Sequence, residues 1–118
     1  MTHSRSQSGA SAETLACDYL RDAGLDLVAR NVRSRFGEID LVMRDGATIV
    51  FVEVRYRRSN RYGAAAETID ARKQSRIRAT AEQFLLRQPR LAQSPCRFDV
   101  LAVEGEGPVE IHWLQNAF

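Results

Sequence analysis

The chain has 118 residues, and its 17 basic and 15 acidic side chains leave a net charge of +2. A chain of this length can bury a core without covalent staples, and its two cysteines, Cys17 and Cys96, are too few for a disulfide framework, so we interpret both as reduced packing residues. No stretch approaches the roughly 18 apolar residues of a membrane span and the polar start has no signal-peptide core, which excludes a membrane protein and predicts a cytoplasmic one.

The first third of the chain predicts a tail, a helix and a strand. Residues 1–10 are Ser-rich and without pattern, so we expect a disordered tail followed by a single domain over residues 11–118. Apolar residues at helical spacing predict a helix that begins at Ser11 and ends before Gly24. Residues 25–32 predict a first strand.

The middle and last thirds add four strands and one helix. Residues 37–44 and 47–56 predict two strands joined by a turn at Asp45-Gly46, and the second of them is apolar on both sides, which favours helices on both faces of the sheet. A helix from Ala65 or Asp70 to Gln88 follows. Residues 97–103 and 109–114 predict the last two strands. The order α-β-β-β-α-β-β indicates a mixed α/β layered domain, a mixed sheet flanked by helices.

Carboxylates cluster on the predicted hairpin. A two-residue turn at Asp45-Gly46 would place Glu38 opposite Glu53, with Asp40 diagonal to Glu53 and about 7 Å away at Cα. Repulsion between carboxylates on a buried face would be offset by a divalent cation, for which Mg²⁺ is the natural choice. The alternatives are an ion-pair cluster with arginines, or a strand that ends early and leaves Glu38 in water.

Two sequence blocks, residues 37–42 (GEIDLV) and 51–57 (FVEVRYR), resemble the central blocks of the YraN-like family. Other landmarks of that family agree in order and spacing: residues 30–33, 62–63, 73, 97–100, 112 and 116–118. The resemblance covers residues 12–118.

The resemblance implies a PD-(D/E)xK restriction-endonuclease-like core, distantly similar to Holliday-junction resolvases. In that superfamily an Asp on the second core strand and a Glu on the third bind Mg²⁺ or Mn²⁺, often with a Glu from the first helix. These roles fall on Asp40, Glu53 and Glu13. A Lys usually follows two residues after the Glu, whereas this chain has Arg55, which stays protonated and cannot act as a general base but can stabilise phosphate charge.

Lys73 is the single lysine among the 17 basic residues. We hypothesise that a compact ammonium is needed there, close to the acidic site, and that it takes over from the lysine that is missing at position 55. Chance, or an ordinary phosphate contact, is the alternative.

Basic residues are concentrated in residues 30–90, which carry a net charge of +7, whereas residues 1–29 and 91–118 are acidic. This distribution favours a polyanionic partner, although scattered solvated charge would give the same totals. No base-reading element is evident, so we expect recognition of structure rather than of sequence. The predicted nucleic-acid contacts are Arg33, Arg57, Arg58, Arg61, Tyr62, Arg72 and Arg76.

Three functions remain open at this point. The first is a metal-dependent nuclease that acts on nucleic acid, with DNA as the favoured expectation, with Asp40, Glu53 and Glu13 as ligands and with Arg55 and Lys73 as charge-stabilising catalytic groups. The second is a non-catalytic nucleic-acid-binding module of the same fold. The third is a protein-interaction domain whose acids form an ion-pair network. Because resolvase-like proteins are often dimers, a homodimer is an expectation by analogy.

Overall fold

Two helices and five strands occupy the residues that the computed structural model describes, 5–58 and 69–118, with side chains described from residue 12 onward. In chain order the elements are α1 (Arg5–Asp22), β1 (Asp26–Ser34), β2 (Gly37–Asp45), β3 (Thr48–Arg57), α2 (Ala71–Leu86), a short 3₁₀ helix (Pro89–Leu91), β4 (Cys96–Glu104) and β5 (Glu110–Leu114). The predicted mixed α/β architecture is confirmed.

The five strands form one mixed sheet in the order β1-β2-β3-β4-β5. Neighbouring strands are antiparallel except for β3 and β4, which run parallel. A parallel pair requires a crossover connection, and the segment that contains α2 provides it. The central strand β3 is buried from Ile49 to Glu53, as its apolar composition predicts.

Each face of the sheet is covered by one helix. Ala12, Ala16 and Leu20 of α1 pack against one face, in a cluster that includes Leu41 and Val52. On the other face, residues of α2 form a second cluster, whose buried members are Ile39, Val42, Ile49, Phe51, Ile77, Ala81 and Leu91. The site described below lies on the α2 side of the sheet.

The hairpin between β2 and β3 differs from its predicted register by two residues. Asp45 pairs with Thr48, so the two turn residues are Gly46 and Ala47 rather than Asp45 and Gly46. Gly46 has φ of 61°, the left-handed conformation that a two-residue turn beginning with glycine favours. The predicted pairing of Glu38 with Glu53 is therefore wrong. A shift of two residues does not exchange the two faces of the paired residues, but Ile39 packs with Val42 on the α2 side while Leu41 packs on the α1 side, so the predicted alternation is not kept on both sides of Asp40.

The structure also corrects the predicted start of the first helix and the predicted burial of one cysteine. α1 begins at Arg5 rather than at Ser11, so the helix includes residues 5–10 of the segment predicted to be disordered, while residues 1–4 lie outside the described residues. Of the two cysteines, both free, Cys17 is buried but Cys96 is exposed, so a packing role is confirmed only for Cys17. Among the described residues, no helix is both long enough and apolar enough to cross a membrane.

The second helix begins where an aspartate caps it. Asp70 has extended backbone geometry, and its Oδ1 accepts a hydrogen bond from the Lys73 N–H at 2.8 Å. This satisfies one of the amides that the first helical turn leaves without a partner. The cap thereby fixes the turn from which Lys73 extends toward the sheet.

The edge strand β5 is attached through the fully buried Asp99. Its carboxylate accepts hydrogen bonds from Trp113 Nε1 at 2.9 Å and from the Asn116 N–H at 2.9 Å. Arg97 donates to the same carboxylate from Nε at 3.1 Å. The contacts from Trp113 and Asn116 hold β5 and the residues after it against β4, and Arg97, on β4 itself, balances the charge of Asp99.

Candidate functional site

Asp40 continues the contact between β2 and β3 where their backbone pairing stops. The paired residues extend to Leu41 and Val52. One step further, Asp40 Oδ2 accepts a hydrogen bond from the Val54 N–H at 2.8 Å. The carboxylate of Asp40 is therefore fixed between two strands at the place where they separate.

The environment of Asp40 opposes its ionisation. Burial, the largest cause, and the charge of Glu53 raise the pKa of Asp40 from 3.8 to about 7. The hydrogen bond from Val54 lowers this pKa in part, and the charges of Glu13 and Glu38 raise it further. Three other carboxylates thus oppose the negative charge of Asp40, and a cation close to Asp40 would relieve the repulsion.

Unlike Asp40, Glu53 has two basic side chains close to its carboxylate. Its side chain is 8% exposed, and Lys73 Nζ lies 2.7 Å from its Oε2. Arg55 Nη1 lies farther away, 3.8 Å from the same oxygen. The structure thus places Lys73 at the acidic site, as the hypothesis for this residue requires, while its chemical role stays a prediction.

The acids and cations line one open cavity of about 280 Å³. Its lining residues are Phe36, Gly37, Glu38, Asp40, Glu53, Lys73, Arg76 and Ile77. Three carboxylates that the sequence placed on one face therefore surround a common space, with two basic residues of α2 opposite them. A space of this kind suits a hydrated cation together with a phosphate group.

Glu13 is a more distant member of this group. It is half-buried on α1, and its Oε1 lies 3.8 Å from Arg30 Nη2. Its charge reaches Asp40, but it is absent from the described lining of the cavity. The structure therefore brings Glu13 near the acidic pair without placing it in the same cavity.

The predicted nucleic-acid contacts fall into three groups. Arg76 lines the cavity, and Arg33 lies at its margin, with Nε 3.8 Å from Glu38 Oε1. Arg57 and Arg72 are exposed. The charge of Arg58 is offset by Glu106, whose Oε2 lies 2.6 Å from Arg58 Nη2.

Two further predicted contacts, Arg61 and Tyr62, lie outside the described residues. In contrast, the sequence analysis missed Phe36, which is 38% exposed at the cavity and lies 5.0 Å from the guanidinium of Arg35. The available signal was an aromatic residue that follows two arginines, Arg33 and Arg35, just before the GEIDLV block.

Comparisons with known proteins all point to one family. The model of "Uncharacterised protein family UPF0102" matches residues 12–103, which include every residue of the cavity. A UPF0102 protein of Stutzerimonas stutzeri is 50% identical over 119 residues, covering 100% of this chain and 98% of that protein. UPF0102 proteins of Xanthomonas campestris (50% identity, covering 100% of this chain and 96% of that protein) and Pseudomonas aeruginosa (51%, covering 93% and 90%) are similar throughout.

Proposed function

The chain belongs to the UPF0102 family, the YraN-like family that its sequence blocks resemble, and from this premise we propose that it is a metal-dependent nuclease with a PD-(D/E)xK-like core. The observation that carries the proposal is the unequal pairing of two adjacent acids. Glu53 is neutralised by Lys73, whereas Asp40 is half-buried and, within the described ranges, forms no ion pair. A divalent cation is the partner that such an arrangement favours.

The donor set fits Mg²⁺ or Mn²⁺. Asp40 and Glu53 offer hard carboxylate oxygens, and these ions typically bind to one or two carboxylates while keeping several waters. Glu38 in the same cavity and Glu13 nearby add negative potential. A bound divalent ion in such sites neutralises phosphate charge and lowers the pKa of water.

The basic residues have separate tasks in this proposal. Lys73 holds the Glu53 carboxylate in one orientation and contributes positive charge next to a phosphate. Arg55 adds a permanent charge but cannot accept a proton. Arg76 and Arg33 bind backbone phosphates at the cavity and its margin, so contacts to bases are not required. We place the substrate among nucleic acids, with DNA favoured, and the protein in the cytoplasm.

The test is cleavage of labelled single-stranded, duplex, flap and four-way-junction DNA with Mg²⁺, with Mn²⁺ and with a chelator. We expect metal-dependent cleavage by the wild type and background cleavage by Asp40→Asn and Glu53→Gln, which keep the shape of each side chain. Asp22→Asn, at an exposed position near the end of α1, is the matched control and should cleave like the wild type. Cleavage that persists in chelator, or in Asp40→Asn, contradicts the proposal.

Arg55 supports a second candidate, a nucleic-acid-binding module without turnover. Arginine replaces the usual lysine at this position, and the lysine that is present is already engaged with Glu53. Binding at low salt without cleavage on any substrate would favour this function, and Arg55→Lys would then be the variant that restores turnover. If no nucleic acid binds at low salt, both candidates fail and a protein-interaction domain remains.

A further inference from the structure

A second cluster of ligand-type side chains lies where β4 meets the edge strand β5. Glu104 pairs directly with Glu110, and Ala102 pairs with His112. Glu110 and His112 are alternate residues of β5 and therefore share a face. The ligand atoms of Glu104, Glu110 and His112 all lie within 4.8 Å of one another.

This arrangement is unfavourable for the protein alone. Glu104 is 1% exposed, and among the described residues neither of its carboxylate oxygens has a hydrogen-bond partner. Its neighbour on β5, Glu110, is another acid, and like charges directly opposite each other destabilise a sheet. Its neighbour on β3 is Arg57, which is exposed and, among the described residues, forms no ion pair with Glu104. A buried carboxylate without hydrogen bonds costs free energy unless a cation compensates it.

His112 adds an imidazole nitrogen to the two carboxylates of the cluster. Its Nε2 lies 3.6 Å from Glu104 Oε1 and 3.6 Å from Glu110 Oε1, too far for good hydrogen bonds. A tetrahedral ion with ligand bonds of roughly 2.0–2.2 Å holds its ligand atoms about 3.4 Å apart. The spacing around His112 therefore matches an ion placed between the three side chains better than it matches direct contacts.

We propose that Glu104, Glu110 and His112 bind a divalent transition-metal ion, with Zn²⁺ as the preferred ion. Imidazole nitrogen together with carboxylate oxygen is a Zn²⁺ ligand set, whereas Mg²⁺ favours oxygen alone. Glu110 and His112 are exposed, which gives the ion a path into the site. The site shares no residue with the cavity around Asp40, so it stands independently of the proposed nuclease function.

The test is calorimetric titration of the full chain with Zn²⁺. The titrated protein carries Asp40→Asn and Glu53→Gln, which removes the first acidic pair from the measurement. We expect one Zn²⁺ per chain and a higher melting temperature when Zn²⁺ is present. His112→Ala and Glu110→Gln, both at exposed positions, should each weaken binding by at least about tenfold. The test uses these two exposed positions because replacement of the buried Glu104 would also disturb the fold.

Two control variants test whether a loss of Zn²⁺ binding is specific to the proposed ligands. His3→Ala removes the second of the chain's two histidines, and Glu106→Gln removes an exposed acid close to Glu104 in sequence. Both should bind Zn²⁺ like the parent. Absence of Zn²⁺ binding in the parent, or equal binding with His112→Ala, overturns the proposal and leaves His112 as an ion-pair partner of the two glutamates.

Discussion

The contribution of Asp40 to the free energy of unfolding depends on pH. Its pKa is raised from 3.8 to about 7, so the folded protein binds this proton more tightly than the unfolded chain does. Without divalent cations, the free energy of unfolding should therefore fall as the pH rises from 3.8 through about 7. At higher pH, Asp40→Asn should stabilise the protein by on the order of 1 kcal/mol, because it removes a charge that burial desolvates and that repels Glu53.

Urea denaturation in chelator at pH values of about 5 and about 8 measures this dependence. Asp22→Asn should keep the wild-type difference between the two pH values. An undiminished difference in Asp40→Asn would show that Asp40 is not the group responsible.

Lys73→Arg tests whether a compact ammonium is needed at the acidic site. The ammonium lies 2.7 Å from Glu53 Oε2, and a planar guanidinium differs from it in size and hydrogen-bond geometry. We expect cleavage to fall by at least about tenfold while nucleic-acid affinity stays close to wild type, because the charge is kept. Arg72→Lys, one residue away on the same helix, is the matched control. Full cleavage by Lys73→Arg would show that a compact ammonium is not needed at this position.

The sequence predicted the acidic residues of the site better than their surroundings. Glu38, Asp40 and Glu53 were assigned to one side of the sheet, and all three line one cavity, since a register change of two residues does not exchange the faces of the two strands. The position of Phe36 could not be predicted in the same way. It depends on how the loop between β1 and β2 packs against α2, which strand periodicity does not encode.

The N-terminal cap of α2 should affect both the stability of the fold and the acidic cavity. Asp70→Ala removes the side-chain oxygen that accepts from the Lys73 N–H, so we expect a loss of about 1 kcal/mol in the free energy of unfolding. Because Lys73 lies in the first turn, cleavage should also fall. Chemical denaturation and the DNA cleavage assay measure the two effects.

Ser75→Ala, at an exposed position of the same helix, is the control for Asp70→Ala and should change neither quantity. If Asp70→Ala unfolds at the wild-type denaturant concentration, the cap is not the element that holds this turn.

Sequence patterns located the strands to within about two residues but not the turn between β2 and β3. β-propensity identifies strands because their side chains are half or fully buried. The turn depends on which residue adopts a positive φ, and both Asp45-Gly46 and Gly46-Ala47 can provide a glycine. The start of α1 was likewise missed, because residues 5–10 carry no apolar periodicity.

The affinity of the basic surface for nucleic acid should depend on the salt concentration. If Arg76 and Arg33 bind backbone phosphates, the logarithm of DNA affinity should fall linearly with the logarithm of salt concentration. Arg76→Gln and Arg33→Gln should each reduce that slope by about 0.9 for a duplex substrate. Fluorescence anisotropy over a series of salt concentrations gives these slopes.

Arg90→Gln, at an exposed position in the 3₁₀ helix, is the control for both arginine variants and should keep the wild-type slope. Equal slopes in all three variants would place the DNA elsewhere on the protein.

The overall architecture followed from the sequence only in part. A strand apolar on both sides predicted helices on both faces, and one helix covers each face. The parallel pairing of β3 with β4 could not be derived, because strand pairing depends on contacts between segments that are distant in the chain. That pairing also sets β5 at the edge, where Glu110 and His112 meet Glu104.

Titration with Mn²⁺ is the most direct test of whether Asp40 and Glu53 hold a divalent cation. The titrated chain carries His112→Ala, so that the second cluster does not contribute to the signal. We expect one Mn²⁺ per chain, retained in Asp22→Asn and lost in Asp40→Asn. Equal Mn²⁺ binding with and without the Asp40 carboxylate, or no binding in the parent even with excess Mn²⁺, would contradict the claim.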